Sequence, residues 1–167
     1  NLWKGKYDSV LKFSEKYLEL ALKENLYRYV GIIYNHMGLI YLFTEKISLA
    51  IECFEKSIEF LQKSNEFVES TRPINNIGMI YADYFDEIDK AMKYMREGIE
   101  ISQKYNSIQS EVVFLNNIGE LYLSINEYEK AKEVVERAVI LAKEIEDEDN
   151  YLEAIKNLAF IYLHMGE

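Results

Sequence analysis

The 167-residue sequence is poor in the residues that disulfide-rich, all-β and membrane-spanning proteins need. Its one cysteine, Cys53, excludes an intrachain disulfide and a cysteine-based zinc cluster, and it favours a reducing compartment such as the cytoplasm. One proline and seven glycines are too few for the closely spaced turns of an all-β fold. No apolar run approaches the roughly 18 residues of a membrane-spanning helix, so no membrane partner is expected.

Residues with catalytic or metal-binding spacing are also scarce. The two histidines, His36 and His164, lie far apart in the sequence, and neither has the neighbouring ligands that a zinc site needs. The sequence has no phosphate-binding glycine loop and no nucleophile-elbow motif. We therefore predict that the chain is not an enzyme and that it binds no metal and no cofactor.

Positive charge is in deficit. The chain has 19 lysines and arginines against 29 acidic residues, which gives a formal net charge of −10. Nucleic acids and anionic membrane surfaces attract positive potential, so neither is expected as a partner. The sequence begins at Asn1 without a methionine and stops at Glu167 inside a helical pattern, and we therefore expect a fragment of a longer protein.

The sequence does contain one motif that occurs four times with a period of about 40 residues. The small residue at the centre of each copy is Gly38, Gly78, Gly119 and Ala159, and the tyrosine three residues later is Tyr41, Tyr81, Tyr122 and Tyr162. A second motif starts 12, 13 and 12 residues after the small residue, at Ala50, Ala91 and Ala131. The longer middle spacing places one extra residue within 84–87.

In both motifs the apolar and small residues recur with the period of an α-helix. Tyr34, Met37, Gly38 and Tyr41 are spaced i, i+3, i+4, i+7, so they share one helix face. Small residues recur where two such helices would face each other, because glycine, alanine or serine is needed where two backbones approach closely. The pattern predicts pairs of packed helices joined by short turns.

The two motifs together resemble the tetratricopeptide repeat (TPR), in which a helix A with Leu-Gly and Tyr precedes a helix B with Ala, Phe and Ala. The first copy places Met37-Gly38, Tyr41, Ala50, Phe54 and Ser57 at these positions, and two later copies match in register. The resemblance implies an all-α, right-handed α-α superhelix, a TPR solenoid of antiparallel helix pairs. The observed period exceeds the usual repeat of about 34 residues, which implies longer helices.

We expect a single TPR domain over 1–167. It would begin with an unpaired helix B at 7–24 and end with an unpaired helix A at 150–165. Helix pairs at 27–43/47–64, 68–83/88–104 and 108–124/128–145 would form three repeats between them, spanning 27–64, 68–104 and 108–145. Pro73 would either start the second helix A or kink a longer helix. The last helix A lacks a helix B to cover it, so we expect it to fray or to form a homo-oligomer through the terminal helices.

In TPR proteins one stripe of helix A lines the concave surface, and the resemblance implies that this groove binds a peptide or protein partner. The candidate groove residues are Asn35, Leu39, Arg72, Asn75, Met79, Asn116, Glu120, Lys156 and Phe160. Asn35, Asn75 and Asn116 share one repeat position on a stripe expected to be exposed, and an amide can pair with both polar groups of a peptide unit. These asparagines form either a ladder that holds a peptide backbone or a solvated row inherited by duplication.

The leading hypothesis is therefore a cytoplasmic TPR scaffold that holds an extended peptide or a partner segment in its groove. Two alternatives stay open, namely the peptide-sensing half of a signalling or transcription-regulating protein and an oligomerisation spacer without a ligand. The second asparagine of the first motif, at Asn76, Asn117 and Asn157, occupies a common TPR position and is expected to be structural.

Overall fold

The computed structural model describes the backbone of residues 2–166 and the side chains of residues 6–166. Over these residues the chain forms eight α-helices and no strand, so the predicted all-α fold is confirmed. The helices are α1 (Leu2–Lys23), α2 (Tyr27–Phe43), α3 (Ile47–Lys63), α4 (Phe67–Asp83), α5 (Ile88–Lys104), α6 (Ile108–Ser124), α7 (Tyr128–Glu144) and α8 (Glu148–Met165). None of the described helices is long and apolar enough to cross a membrane.

The long repeat arises from uniform helix lengths. Each of α2 to α7 has 17 residues, and three-residue turns separate neighbouring helices except at 84–87, where the turn has four. The extra residue of the second repeat therefore lies in the turn and leaves both of its helices unchanged. The observed helices start close to the positions expected from the pattern, except that α1 starts at Leu2 instead of residue 7.

Every turn uses a residue in the left-handed conformation to end one helix and start the next. These residues have φ between 54° and 61°, and they are Asn25, Glu45, Asn65, Asp86, Asn106, Asn126 and Glu146. In the first turn the N–H of Leu26 donates to the carbonyl of Ala21 at 2.8 Å, and five later turns repeat this bond with the same spacing. This arrangement is the Schellman motif, in which asparagine can replace the usual glycine.

The chain divides into two compact units, Asn1–Ile77 and Gly78–Glu167, with the division inside α4. In the first unit α2 packs against α1 and α3. A Cβ atom added to Gly38 would lie 2.6 Å from Cε1 of Phe54, so α2 approaches α3 closely because this position is glycine. Elsewhere in the same helix pair, Ser57 Oγ donates a hydrogen bond of 2.7 Å to the carbonyl of Gly31.

In the second unit α6 packs against α5, α7 and α8, and α7 packs against α8. The buried core residues shared by α6, α7 and α8 are Val112, Leu115, Ala131, Val135, Ala138, Ala142, Ala154 and Ile161. Glu111, which is 7 % exposed, accepts hydrogen bonds from Gln103 Nε2 at 2.9 Å and from the guanidinium of Arg137. This buried carboxylate therefore connects α5, α6 and α7.

Pro73 lies inside α4, six residues after the helix begins at Phe67, so it does not start this helix. A proline has no N–H for the carbonyl four residues earlier, here that of Glu69. In the preceding turn the hydroxyl groups of Ser70 and Thr71 donate to the carbonyls of Phe67 and Val68, at 2.6 Å in each case. The helix therefore continues past the proline with one backbone hydrogen bond fewer.

Candidate functional site

The predicted groove residues lie on the A helices, which are α2, α4, α6 and α8. The first unit contains Asn35, Leu39, Arg72 and Asn75, and the second unit contains Met79, Asn116, Glu120, Lys156 and Phe160. We call these two sets the first and the second stripe. All nine positions are spaced so that those on one helix share a face, because α-helical residues three and four apart are neighbours.

In the first stripe an asparagine pair joins two successive A helices. Asn35 is half-buried on α2, and its Oδ1 accepts a hydrogen bond of 3.5 Å from Nδ2 of Asn76 on α4. Leu39, one turn later, is also half-buried, whereas Arg72 on α4 is exposed. The bond between the two amides supports the structural role expected for Asn76, and it uses one of the two lone pairs of the Asn35 oxygen.

In the second stripe the expected exposure of Asn116 is wrong. Asn116 is 3 % exposed, and its Nδ2 donates to the carbonyl of Asn150 at 3.2 Å, because α8 packs over this part of α6. Its Oδ1 is buried without a hydrogen-bond partner, and so is Nδ2 of Asn157. These two residues are 41 apart, as are Asn35 and Asn76, so both pairs occupy equivalent places in their repeats. Asn116 therefore holds neighbouring helices together and is not exposed for contact with a peptide backbone.

Glu120 lies one turn after Asn116 and is half-buried. Burial raises the pKa of its carboxyl group, the amide of Asn157 lowers this pKa, and the carboxylates of Glu153 and Asp83 raise it further. Although Asn157 is close enough to act on Glu120, its Nδ2 makes no hydrogen bond of normal geometry. Lys156 Nζ forms an ion pair of 3.1 Å with Glu153, so Glu120 and Lys156 of the second stripe lie among neighbouring carboxylates.

Phe160 gives the second stripe an accessible aromatic side chain. It is 47 % exposed, and its ring centroid lies 4.0 Å from that of His164 on the same helix. The His164 ring in turn stacks on Tyr128 with a centroid distance of 5.5 Å. Met79 on α4 is half-buried at the repeat position that Phe160 occupies on α8. The stripe therefore combines apolar contact surface with carboxylate and ammonium groups.

Two features outside the stripes bear on reactivity, namely the thiol of Cys53 and the grouping of possible metal ligands. Cys53 is buried, and burial raises the pKa of its thiol to about 11, with Glu52 also raising it. A thiol of this kind stays protonated at neutral pH and is a poor nucleophile. Within residues 6–166, no group of three His, Cys, Asp or Glu side chains could hold a metal ion.

Sequence reasoning missed an open cavity of about 640 Å³ on the second unit. Its lining mixes charges of both signs along α5, including Lys93, Arg96, Glu97 and Glu100, and it also includes Tyr122 of α6. Its residues belong mainly to a helix B, and the sequence analysis searched the A helices for a groove. The signal that could have found it is the run of charged residues on the polar face of α5.

Comparisons with known proteins agree with the repeat pattern. A sequence model of the tetratricopeptide repeat matches residues 32–60, 71–105 and 113–144. BtubC (BKLC) from P. vanneervenii is similar in structure, with a TM-score of 0.83 and 19 % identity over 99 % of this chain and 68 % of that chain. No curated protein is significantly similar to the chain in sequence.

Two further solved structures have the same fold. A Podosopora anserina protein described as a kinesin light chain, with nearly identical TPR-like repeats, has a TM-score of 0.70 and 13 % identity, covering 98 % of this chain and 81 % of that one. The apo form of RapI has a TM-score of 0.75 and 16 % identity, covering 96 % of this chain and 64 % of that one. At such low identity these likenesses describe the fold only.

Proposed function

The chain belongs to the tetratricopeptide repeat family, and from this premise we propose that its A-helix stripes hold an extended peptide or a partner segment. TPR chains are in general scaffolds for protein interaction and are typically non-catalytic, so the proposal contains no catalytic step. The single cysteine, Cys53, is buried and reduced, which fits a reducing compartment, and we therefore also propose a cytoplasmic location.

The observation that carries the proposal is accessible apolar surface at one equivalent position of three of the four A helices, α2, α4 and α8, whereas α6 has Glu120 there. Leu39, Met79 and Phe160 each follow the central small residue of their repeat, and all three keep part of their side chain accessible. Phenylalanine and methionine are enriched at the core of protein interfaces relative to the rest of a protein surface. Helices held by a packed core present such side chains without a large ordering cost, which favours binding.

Charged groups on the stripes would orient the ligand more than they would bind it. Arg72 is exposed on the first stripe, whereas Glu120 and its neighbouring carboxylates make part of the second stripe negative. We therefore expect a ligand with a basic side chain at the part that contacts Glu120. Asn75 remains a candidate contact to the peptide backbone on the basis of its repeat position and its partial exposure on α4, whereas burial removes Asn116 from the candidates.

The test begins with selection of ligands from a random peptide library, followed by calorimetric titration of the selected peptides. Phe160→Ala and Met79→Ala should each weaken binding about tenfold or more, since truncation of an interface anchor costs at least about 1–2 kcal/mol. Ile140→Ala is the matched control, because Ile140 is 65 % exposed on α7, a helix B, and lies outside both stripes. If no peptide is selected, the spacer alternative replaces this proposal, and if Ile140→Ala weakens binding equally, the stripes are not the binding site.

One observation favours the regulatory alternative, in which the chain senses a peptide for a signalling or transcription-regulating protein. Pro73 lies inside α4 and leaves the carbonyl of Glu69 without its helical hydrogen bond, and prolines are among the few causes of sharp helix kinks. Small-angle scattering with and without a selected peptide separates the two functions. A ligand-dependent change in the scattering curve supports the sensor, and an unchanged curve supports the static scaffold.

A further inference from the structure

The open cavity on the second unit, about 640 Å³ in volume, has an apolar floor. Ile88 and Met92 supply this floor from α5, and Tyr122 supplies it from the last turn of α6. Ile125, in the turn after α6, is 45 % exposed at the edge of the cavity, whereas Met92 is buried. A cavity of this size lies within the range of about 300–1,000 Å³ that small-ligand sites usually have.

Two cations continue the lining along α5. Arg96 lies one turn after Met92, and Lys93 lies three residues before Arg96, so the two cations share one helix face. Both side chains are exposed, and neither forms an ion pair or a ring contact with any residue from 6 to 166. Both cations are therefore available to a ligand that lies on the floor.

Such unpaired cations are the exception in the second unit. Residues 78–167 contain nine basic and nineteen acidic side chains, so carboxylates are abundant as partners. Six of the nine basic side chains pair with a carboxylate or an aromatic ring, and they are Lys90, Lys104, Lys130, Lys132, Arg137 and Lys156. Of the other three, Lys93 and Arg96 line the cavity and Lys143 does not. The cavity thus contains two of the three cations that have no partner among the described residues.

The carboxylates of the lining oppose an anion less than their number suggests. Asp89 lies in the first turn of α5, where the helix dipole offsets part of a negative charge. Glu97 and Glu100 each lie one turn beyond one of the two cations, so they are farther along α5 from the apolar floor. An anionic group next to the floor would therefore meet the cations first.

We propose that this cavity binds a small organic anion. Its flat apolar group would lie on the floor, and its sulfonate, phosphate or carboxylate group would contact Arg96 and Lys93. The apolar group is needed, because exposed ion pairs contribute little by themselves and burial of apolar surface adds to them. The guanidinium of Arg96 can bind two oxygens of such an anion through parallel hydrogen bonds. The inference does not depend on peptide binding, since no residue of either stripe lines the cavity.

Two naphthalene dyes serve as probes of the ligand class. Anilinonaphthalene sulfonate has a flat apolar group and an anion, whereas phenylnaphthylamine has the same rings without the sulfonate. Fluorescence titration of each dye into the native chain and into each variant measures the affinity. The native chain should bind the sulfonate dye at a saturable site, and the effect of each variant then shows which side chains form that site.

The double variant Lys93→Gln with Arg96→Gln should weaken binding of the sulfonate dye about tenfold, because two exposed ion pairs are lost. It should leave the affinity for the neutral dye unchanged, since that dye has no anion. Lys143→Gln is the matched control, because it removes the unpaired cation that lies outside the cavity, and it should change neither affinity. All three side chains are exposed, so each variant should keep the helical circular dichroism of the native chain.

The carboxylates should have the opposite effect. Glu97→Gln with Glu100→Gln should strengthen binding of the sulfonate dye about two- to fivefold, because the cations lose their competing partners one turn away. Ile125→Ala should weaken both dyes about threefold, because it removes apolar contact. Ile140→Ala is the matched control for this change, since Ile140 is 65 % exposed on α7 and lies outside the cavity.

The proposal would be overturned by a native chain that binds no sulfonate dye. It would equally be overturned if the double variant Lys93→Gln with Arg96→Gln bound that dye with native affinity, since the dye would then lie elsewhere. Equal weakening of both dyes in that variant would show that the cations do not contact the anion. Equal weakening by Lys143→Gln would show that only the total charge of the chain matters.

Discussion

At the scale of single residues, the buried carboxylate of Glu111 links three helices of the second unit. It is 7 % exposed, and its partners come from the two neighbouring helices, namely Gln103 on α5 and Arg137 on α7. Burying a carboxylate is costly unless it is paired and hydrogen-bonded. Arg137, whose side chain is 54 % exposed, supplies the charge from the rim of the site.

We expect Arg137→Ala to destabilise the protein by about 1.5–3 kcal/mol, because it removes a charged hydrogen bond from a buried carboxylate. The measurement is the free energy of unfolding in urea. Arg28→Ala is the matched control, since Arg28 pairs with Glu66 in a more exposed ion pair of 3.2 Å, and this change should cost only about 0–1 kcal/mol. Equal costs for the two variants would mean that Glu111 does not need its cation.

At the scale of helices, close approach between helix A and helix B depends on one small residue in each repeat. On α6 this residue is Gly119, and a Cβ atom there would collide with Val135 of α7. On α8 the same repeat position is Ala159, which is exposed and has no helix B after it among the described residues. One position thus occurs in the same chain with and without a partner helix.

Gly119→Leu should cost roughly 1–3 kcal/mol, because the added side chain forces α6 and α7 apart. Ala159→Leu, the matched control at the same repeat position, should change the stability by less than about 0.5 kcal/mol, since this position is exposed. Thermal unfolding followed by circular dichroism measures both. If Gly119→Leu melted at the native temperature, the register of the repeats would be wrong.

At the scale of the whole molecule, the excess of acidic residues opposes compaction. The formal net charge is −10 and the isoelectric point is about 4.8. Charge far from zero destabilises a compact state through self-repulsion, and salt screens charges that lie more than a Debye length apart. Surface ion pairs, such as that between Lys56 and Glu52, contribute too little stability to outweigh this repulsion.

We therefore expect the unfolding temperature at pH 7 to rise when sodium chloride is raised from about 0.01 M to about 0.15 M, because the Debye length falls from about 30 Å to about 8 Å. The same titration near the isoelectric point is the control, since the net charge there is close to zero and the effect should vanish. A lower unfolding temperature at the higher salt would show that local ion pairs outweigh the repulsion.

The sequence by itself determined the helices, their period and the place of the extra residue in the turn at 84–87. These features depend on local spacing, because apolar residues at helical intervals and small residues at the close contact appear in the sequence before any folding. The family assignment follows from the same repeated motifs, and the helix length of 17 residues accounts for the repeat period of about 40 residues.

Only the tertiary structure decided which stripe positions stay accessible. Asn35 and Asn116 look equivalent in the sequence, yet α8 covers Asn116 almost completely while Asn35 stays half-buried. The burial of Glu111 and the exposure of Ala159 have the same origin. Exposure depends on how closely other helices cover a position, and this contact is made by residues about 20 to 40 positions away, which the local pattern does not include.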